Sequence, residues 1–192
     1  DRLARGISFR HEDRHEEALR CLDQAMKIDP DFFPLLIEKG IVLREMGRCI
    51  ESVELLDQFL HILPNVPDVH QLRRNILEEA LSDCDRVLEM NPGDARVLVN
   101  RADIFQRLHR HDDAVNCYDL ALKIDVRCED ALNRRGNALM ELDRPEEALE
   151  SYHHALEIVP HNARILFNRG CVLQQLGRME EAVESFKDAL AC

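Results

Sequence analysis

Apolar residues recur along the chain three and four positions apart, the spacing of helix faces turned toward a core. Leu132, Leu139 and Leu142 form one such stripe, and Ala148, Tyr152 and Ala155 form the next. Short polar turns separate the stripes: Met46-Gly47-Arg48, Leu142-Asp143-Arg144-Pro145 and Leu176-Gly177-Arg178. Pro145 suits a helix's first turn, where its missing N–H costs nothing. The pattern predicts pairs of antiparallel helices. Few strand formers and many Ala, Leu and Glu argue against an all-β fold.

The pattern repeats. Helix-ending pairs occur at Asp29-Pro30, Leu63-Pro64, Asn91-Pro92 and Val159-Pro160; the first two prolines are 34 residues apart and the last two 68. Fixed slots follow in that register. One slot reads Gly6, Gly40, Ala102, Gly136 and Gly170; the slot twelve residues later reads Ala18, Ser52, Ala114, Ala148 and Ala182. A bulky slot reads Leu22, Leu56, Tyr118, Tyr152 and Phe186, followed by Ala25, Phe59, Ala121, Ala155 and Ala189. Small residues let two helices approach to the short end of the usual interaxial range, and the bulky residue fills the gap between them.

The register divides the chain into repeats over 1–32, 33–66, 67–94, 95–128, 129–162 and 163–192. The third is six residues short. In it Val69, Leu72, Ile76, Leu77, Ala80, Leu81, Cys84, Val87 and Leu88 follow one unbroken stripe, which predicts a single helix from Pro67 to about Met90, roughly 36 Å long. The overhang of such a helix is expected to expose Val69, Leu72 or Ile76 as a surface for a partner or a second copy. The alternative is that residues are missing near Arg73-Arg74-Asn75. Both ends cut into repeats rather than ending in polar caps, so the sequence reads as a piece of a longer protein.

These slots resemble the tetratricopeptide repeat, whose signature is a 34-residue helix–turn–helix. The resemblance covers essentially the whole chain. It departs from the pattern at Ser52, Phe59 and Ala102. It implies an all-α, right-handed superhelical solenoid of antiparallel helix pairs, with partner peptides on the concave face lined by first helices. The concave slots are then Asn100, Asp103, Gln106, Asn133, Arg134, Asn137, Arg164, Asn168 and Gln174. Asn100 and Asn168 with Asn133 and Asn137 make a partial amide ladder, able to donate to and accept from a peptide backbone. It is similar to the ladder in the solenoids of protein O-linked N-acetylglucosamine transferases, interrupted here by Arg134. The carboxylate clamp of chaperone-binding members is not matched. Its slots hold Val99, Asp103, Arg134, Arg164 and Asn168, and only Arg164 suits it in charge.

Composition narrows the functions. The formal net charge is −12, which opposes nucleic acid and anionic membranes as partners. The first helices of repeats four to six run against that balance, with Arg96, Arg101, Arg107, Arg134, Arg135, Arg164 and Arg169 outnumbering Asp103, Glu129, Asp130 and Glu141. A neutral or acidic peptide is therefore expected in the groove, unless Arg101, Arg135 and Arg169 lay their stems on neighbouring helices. There is no run apolar and long enough to span a membrane, and no signal peptide at the start. The seven cysteines form no C-x-x-C pair, pointing to reduced thiols in the cytoplasm rather than a disulfide framework or zinc site. His11 and His15 fall across a turn, as do His109 and His111, so a metal is not expected. Acidic pairs such as Glu146-Glu147 and Glu180-Glu181 recur at second-helix starts, where the helix dipole explains them. No nucleophile–base constellation and no phosphate loop is present. The sequence thus predicts a non-catalytic scaffold without cofactors that binds an extended peptide. The alternatives are the targeting arm of a larger enzyme such as a glycosyltransferase, or a scaffold self-associating through its ends or the 67–90 helix.

Overall fold

The computed structural model describes residues 2–30 and 32–192. They form eleven helices, with no strand among the described residues: α1 (Arg2–His11), α2 (His15–Ile28), α3 (Pro34–Glu45), α4 (Cys49–Ile62), α5 (Pro67–Met90), α6 (Ala95–Arg107), α7 (His111–Ile124), α8 (Glu129–Glu141), α9 (Pro145–Ile158), α10 (Ala163–Gln175) and α11 (Met179–Ala191). The chain divides into two compact units, Asp1–Ala80 and Leu81–Cys192, so the division falls inside α5. In the first unit α1 packs on α2, α2 on α3 and α3 on α4; in the second, each helix from α6 to α11 packs on the next. The core of the first unit centres on Ala18, Leu22, Leu35, Val42 and Leu43. That of the second runs through Phe105, Tyr118, Leu139, Tyr152, Ile165 and Leu173.

Each helix pair turns in the same way. Asp13, Gly47, His109, Asp143 and Gly177 occupy one slot, and all have positive φ, between 55° and 75°. The Arg that follows donates its backbone N–H to a carbonyl five residues back: Arg14 to Phe9, Arg48 to Leu43, Arg110 to Phe105, Arg144 to Leu139 and Arg178 to Leu173. This Schellman closure satisfies carbonyls at the end of the first helix. The same Arg side chain bonds the acid three residues on: Glu17, Glu51, Asp113, Glu147 and Glu181 respectively. The acids at second-helix starts therefore pair with a cation as well as with the dipole.

The third repeat lacks these turn residues in either register. Counted from upstream, the slot holds Leu81-Ser82; counted from downstream, it holds Asn75-Ile76. Neither offers a residue tolerant of positive φ followed by Arg, and the chain continues as one 24-residue helix. The expected exposure of its first half is not what the structure shows. Val69 is buried, Ile76 is fully buried and Leu72 is partly covered. The exposed apolar residues lie at the other end, where Met90 is 90% exposed and Val87 45%. The surface proposed at Val69 and Ile76 for a second copy is therefore not available.

A cation precedes the small slot of the first helices and reaches a carboxylate sixteen residues back. Lys39 meets Asp23 at 2.7 Å, Arg101 meets Asp85 at 2.8 Å and Arg135 meets Asp119 at 2.6 Å; Arg73 pairs with Asp57. On α5, Arg73 thus plays the first-helix part and Asp85 the second-helix part, which is how one helix stands in for two. Arg101, Arg135 and Arg169 also reach sixteen residues forward, to Cys117 Sγ, Ser151 Oγ and Ser185 Oγ. Arg101 and Arg135 thus bridge the helices before and after their own, whereas Arg169 holds only α11, through Ser185 and Asp188. They add no charge to the face the first helices form.

Candidate functional site

The first helices of the second unit, α6, α8 and α10, carry a strip of polar side chains made of two hydrogen-bonded clusters, one charged and one of amides. It begins at Tyr118, whose ring fills the bulky slot of α7 and is fully buried. Its hydroxyl lies 2.5 Å from Asp103 Oδ1 and 2.9 Å from Gln106 Oε1. The single phenolic proton goes to the stronger acceptor, the carboxylate. Burial, and then the charge of Asp103, hold that phenol well above its usual range, so it stays a donor. Asp103 Oδ2 accepts from Arg134 Nη1 at 2.7 Å, and Arg134 Nε donates to Asp130 Oδ2 at 2.8 Å. Asp130 Oδ1 also accepts from Arg164 Nη2 at 3.4 Å. Both arginines of the strip are thus already paired with acids of the same strip.

One repeat on, the strip changes character. The Tyr152 hydroxyl donates to Asn137 Oδ1 at 2.7 Å. Burial pushes this phenol up as well. Asn168 Nδ2 donates to Asn137 Oδ1 and Asn133 Oδ1, each at 3.1 Å. Asn137 Oδ1 thus accepts from both the Tyr152 phenol and Asn168 Nδ2, and these two bonds together set the way its amide faces. Asn168 is fixed in turn, with its nitrogen toward two oxygens. Asn137 Nδ2 and Asn168 Oδ1 then have no partner among the described residues, and both reach solvent. One donor and one acceptor are left side by side.

The nine residues expected on this face are placed as follows. Asp103, Gln106 and Arg134 join the charged part of the strip, and Asn137 and Asn168 the amide part. Arg164 lies at the exposed edge, while Asn100 and Gln174 are exposed beyond it. Asn133 is fully buried and its Nδ2 is unpaired, so it lies beneath the ladder rather than on it. Tyr118, Tyr152, Asp130 and Phe167 belong to the face and were not expected there. A signal for the tyrosines was present: each lies fifteen residues after the polar residue it bonds. Phe167 is 56% exposed on α10, its ring 5.5 Å from that of Phe186 and tilted 51° to it.

Other candidate chemistry is sparse. No disulfide is formed among the described residues. His11 ends α1 and His15 begins α2. Among the described residues no group of three or more His, Cys, Asp or Glu is arranged to hold a metal ion. No helix there is long and apolar enough to cross a membrane.

Paired helices closed by a common turn, small residues at their crossings and a polar strip along the first helices define a helical-repeat protein built to present a surface. Family models described as tetratricopeptide repeat match residues 95–125 and 127–192, and the chain belongs to the tetratricopeptide repeat family. Among solved structures it is similar to a crystal structure of MamA, with a TM-score of 0.55 and 18% identity over 97% of this chain and 92% of that one. A second MamA structure, MSR-1 C2, gives 0.52 and 21% over 98% and 92%. The MamA RS-1 ArsTM double mutant gives 0.54 and 14% over 98% and 90%. At these identities the likeness is one of fold. No curated protein matches the chain in sequence.

Proposed function

We propose that this protein is a non-catalytic interaction scaffold whose α6–α8–α10 face binds an extended peptide of a protein partner. The supporting observation is the Tyr152–Asn137–Asn168 relay. A peptide backbone offers one donor and one acceptor per residue. Asn137 Nδ2 and Asn168 Oδ1 are the complementary acceptor-seeking and donor-seeking groups, oriented before any peptide arrives. That spares the partner the cost of ordering them. Because Arg134 and Arg164 are engaged by Asp103 and Asp130, the strip is close to neutral as it stands. This shifts the expectation from an acidic peptide to an uncharged one.

The test is selection of a random peptide library on the whole chain, followed by affinity measurement on Asn137→Ala/Asn168→Ala. The double substitution is expected to weaken binding by about 1–3 kcal/mol. Asn100→Ala, at an exposed position without a partner among the described residues, is expected to cost less than half of that. Unchanged affinity in the double variant overturns the assignment of this face.

A further inference from the structure

We propose that the cleft between α7 and α9, on the second-helix side of the second unit, docks a basic segment of a protein partner. One Lys or Arg side chain of that segment lies along Leu122, Val126 and Leu132, with its charged end at Glu150 and Asp119. This surface is separate from the α6–α8–α10 face and goes beyond the function proposed for that face.

Three observations carry it. First, the cleft has the size and lining for one long side chain. It encloses about 280 Å³, just under the range of pockets that hold a whole small molecule. Of its apolar residues Leu132 is buried, Leu122 is partly covered and Val126 is 70% exposed, so an apolar track runs outward from the core. Lys and Arg carry an apolar stem beneath a charged end, and such a track suits that stem. Second, the charges lining the cleft do not cancel. Arg135 donates to Asp119 Oδ1 and Ser151 Oγ, each at 2.6 Å, and Ser151 Oγ donates onward to the Glu147 carbonyl at 2.9 Å. Glu150 is exposed and has no hydrogen bond or ion pair among the described residues. Two carboxylates thus stand against one guanidinium, whereas on the α6–α8–α10 face Arg134 and Arg164 are matched by Asp103 and Asp130. The nearest cations in sequence, Lys123 and Arg127, do not line the cleft. A partner cation placed here meets a carboxylate that nothing else holds. Third, the feature is particular to this place. Where α9 has Glu150 and His154, α7 has Asn116 and Leu120. The cleft also lies inside the array of repeats, with α6 before α7 and α10 and α11 after α9.

The experiment selects peptides from a random library on the whole chain carrying Asn137→Ala/Asn168→Ala, so that the first-helix face does not compete. Affinities are read by fluorescence anisotropy. The expected consensus carries Lys or Arg, and the selected peptides should bind the unsubstituted chain within about twofold of the same affinity. Glu150→Lys is expected to weaken them by about tenfold or more, and Glu150→Gln by about twofold to fivefold. Glu16→Lys, a charge reversal of the same size on α2, is expected to change affinity by less than about twofold at physiological salt. Replacing the consensus cation by Gln in the peptide should reproduce the loss seen with Glu150→Gln and add little to it. Methyl NMR of the whole chain should show the largest shifts at Leu122, Val126 and Leu132. Equal losses in Glu150→Lys and Glu16→Lys reduce the effect to the net charge of −12 and overturn the site. A consensus without Lys or Arg, or methyl shifts confined to other residues, overturns it as well. No peptide selected on the doubly substituted chain, while the unsubstituted chain selects peptides that need Asn137 and Asn168, overturns this cleft and leaves the first-helix face standing.

Discussion

The first helices of the two units use the same slots for opposite chemistry. In the first unit the inner slots of α1 and α3 hold Leu3, Ile7, Ile37 and Ile41, all partly buried. In the second unit the same slots hold Val99 and Asp103 on α6, Asn133 and Asn137 on α8, and Phe167 and Cys171 on α10. The difference follows the bulky residue fifteen positions later. Leu22 follows Ile7 and Leu56 follows Ile41; Tyr118 follows Asp103 and Tyr152 follows Asn137; Phe186 follows Cys171. Where the bulky residue is Leu, no hydroxyl reaches across, and a half-buried polar group there would be left unpaired. Where it is Tyr, its hydroxyl bonds the polar residue opposite. Where it is Phe, the residue opposite carries no charge. The repeat thus treats these two positions as one unit, and the second unit's polar face depends on its tyrosines.

Converting one unit's pair into the other's should produce the largest effect. Tyr152→Leu removes ring volume and also takes away one of the two donors to Asn137 Oδ1, leaving Asn168 Nδ2 as the other. It is expected to cost about 2–4 kcal/mol in denaturant unfolding. Tyr152→Leu combined with Asn137→Ile recreates the pair of the first unit and should recover part of that loss. A double variant no better than the single one breaks the coupling of the two slots. Tyr152→Phe isolates the hydroxyl and should cost about 0.5–1.5 kcal/mol.

The small slot sharpens the contrast. A Cβ on Gly136 would lie 2.6 Å from Tyr152 Cε1, whereas on Gly40 it would lie 3.3 Å from the flexible end of Leu56. Gly136→Ala should therefore destabilise by about 1–3 kcal/mol through overpacking. Gly40→Ala should be near neutral, because better helix propensity, worth up to about 1 kcal/mol, offsets the tighter contact. Ala102 beside Tyr118 shows that a tyrosine can accept Ala when the ring is seated for it. Equal costs at both glycines would mean that the aromatic seat is not what demands glycine. The interhelix cations come next. Arg135→Ala loses both Asp119 and Ser151 and is expected to cost about 1–2 kcal/mol. Lys39→Ala loses one partly exposed pair and should cost about 0.5 kcal/mol, readable as a small shift in thermal midpoint.

Much of this was written in the sequence, and the parts that were not have a common cause. The helix pairs, the turns and the single helix from Pro67 to Met90 follow from periodicity and punctuation, which act within a few residues. Asn133 was misjudged because a helical wheel gives a residue's direction and says nothing of what the next repeat lays over it. Asn168 covers it from α10. For the arginines at 101, 135 and 169 the sequence left two places open, the groove and the neighbouring helices, and the structure shows the second. Their partners sit sixteen residues away on second helices, and only the packed structure turns that spacing into contact. Phe167 passed unnoticed because Phe is ordinary core material in a helix, and its exposure is a property of three-dimensional context.

The smallest expected effect concerns the last rung of the interhelix ladder. Sixteen residues before Arg169 the carboxylate found at Asp23, Asp57, Asp85 and Asp119 is replaced by His153. Burial lowers the pKa of His153, and the cations Arg169 from α10 and Arg178 at the start of α11 lower it further, with His154 acting the same way and Glu181 opposing them. The folded state therefore prefers the neutral imidazole. A depressed folded value means that stability is fully present above the unfolded histidine pKa, about 6.5, and is lost as pH falls below it toward the folded value. His153→Asp should remove that loss and give Arg169 the carboxylate that its counterparts have. The readout is the difference in thermal midpoint between wild type and variant as pH is lowered from neutrality, which subtracts the other eight histidines as a common background. The gap should widen with acidification and show as slower amide exchange in α10 of the variant. A constant gap would mean that Arg169, bonded to Ser185 and near Asp188, does not register what stands at position 153.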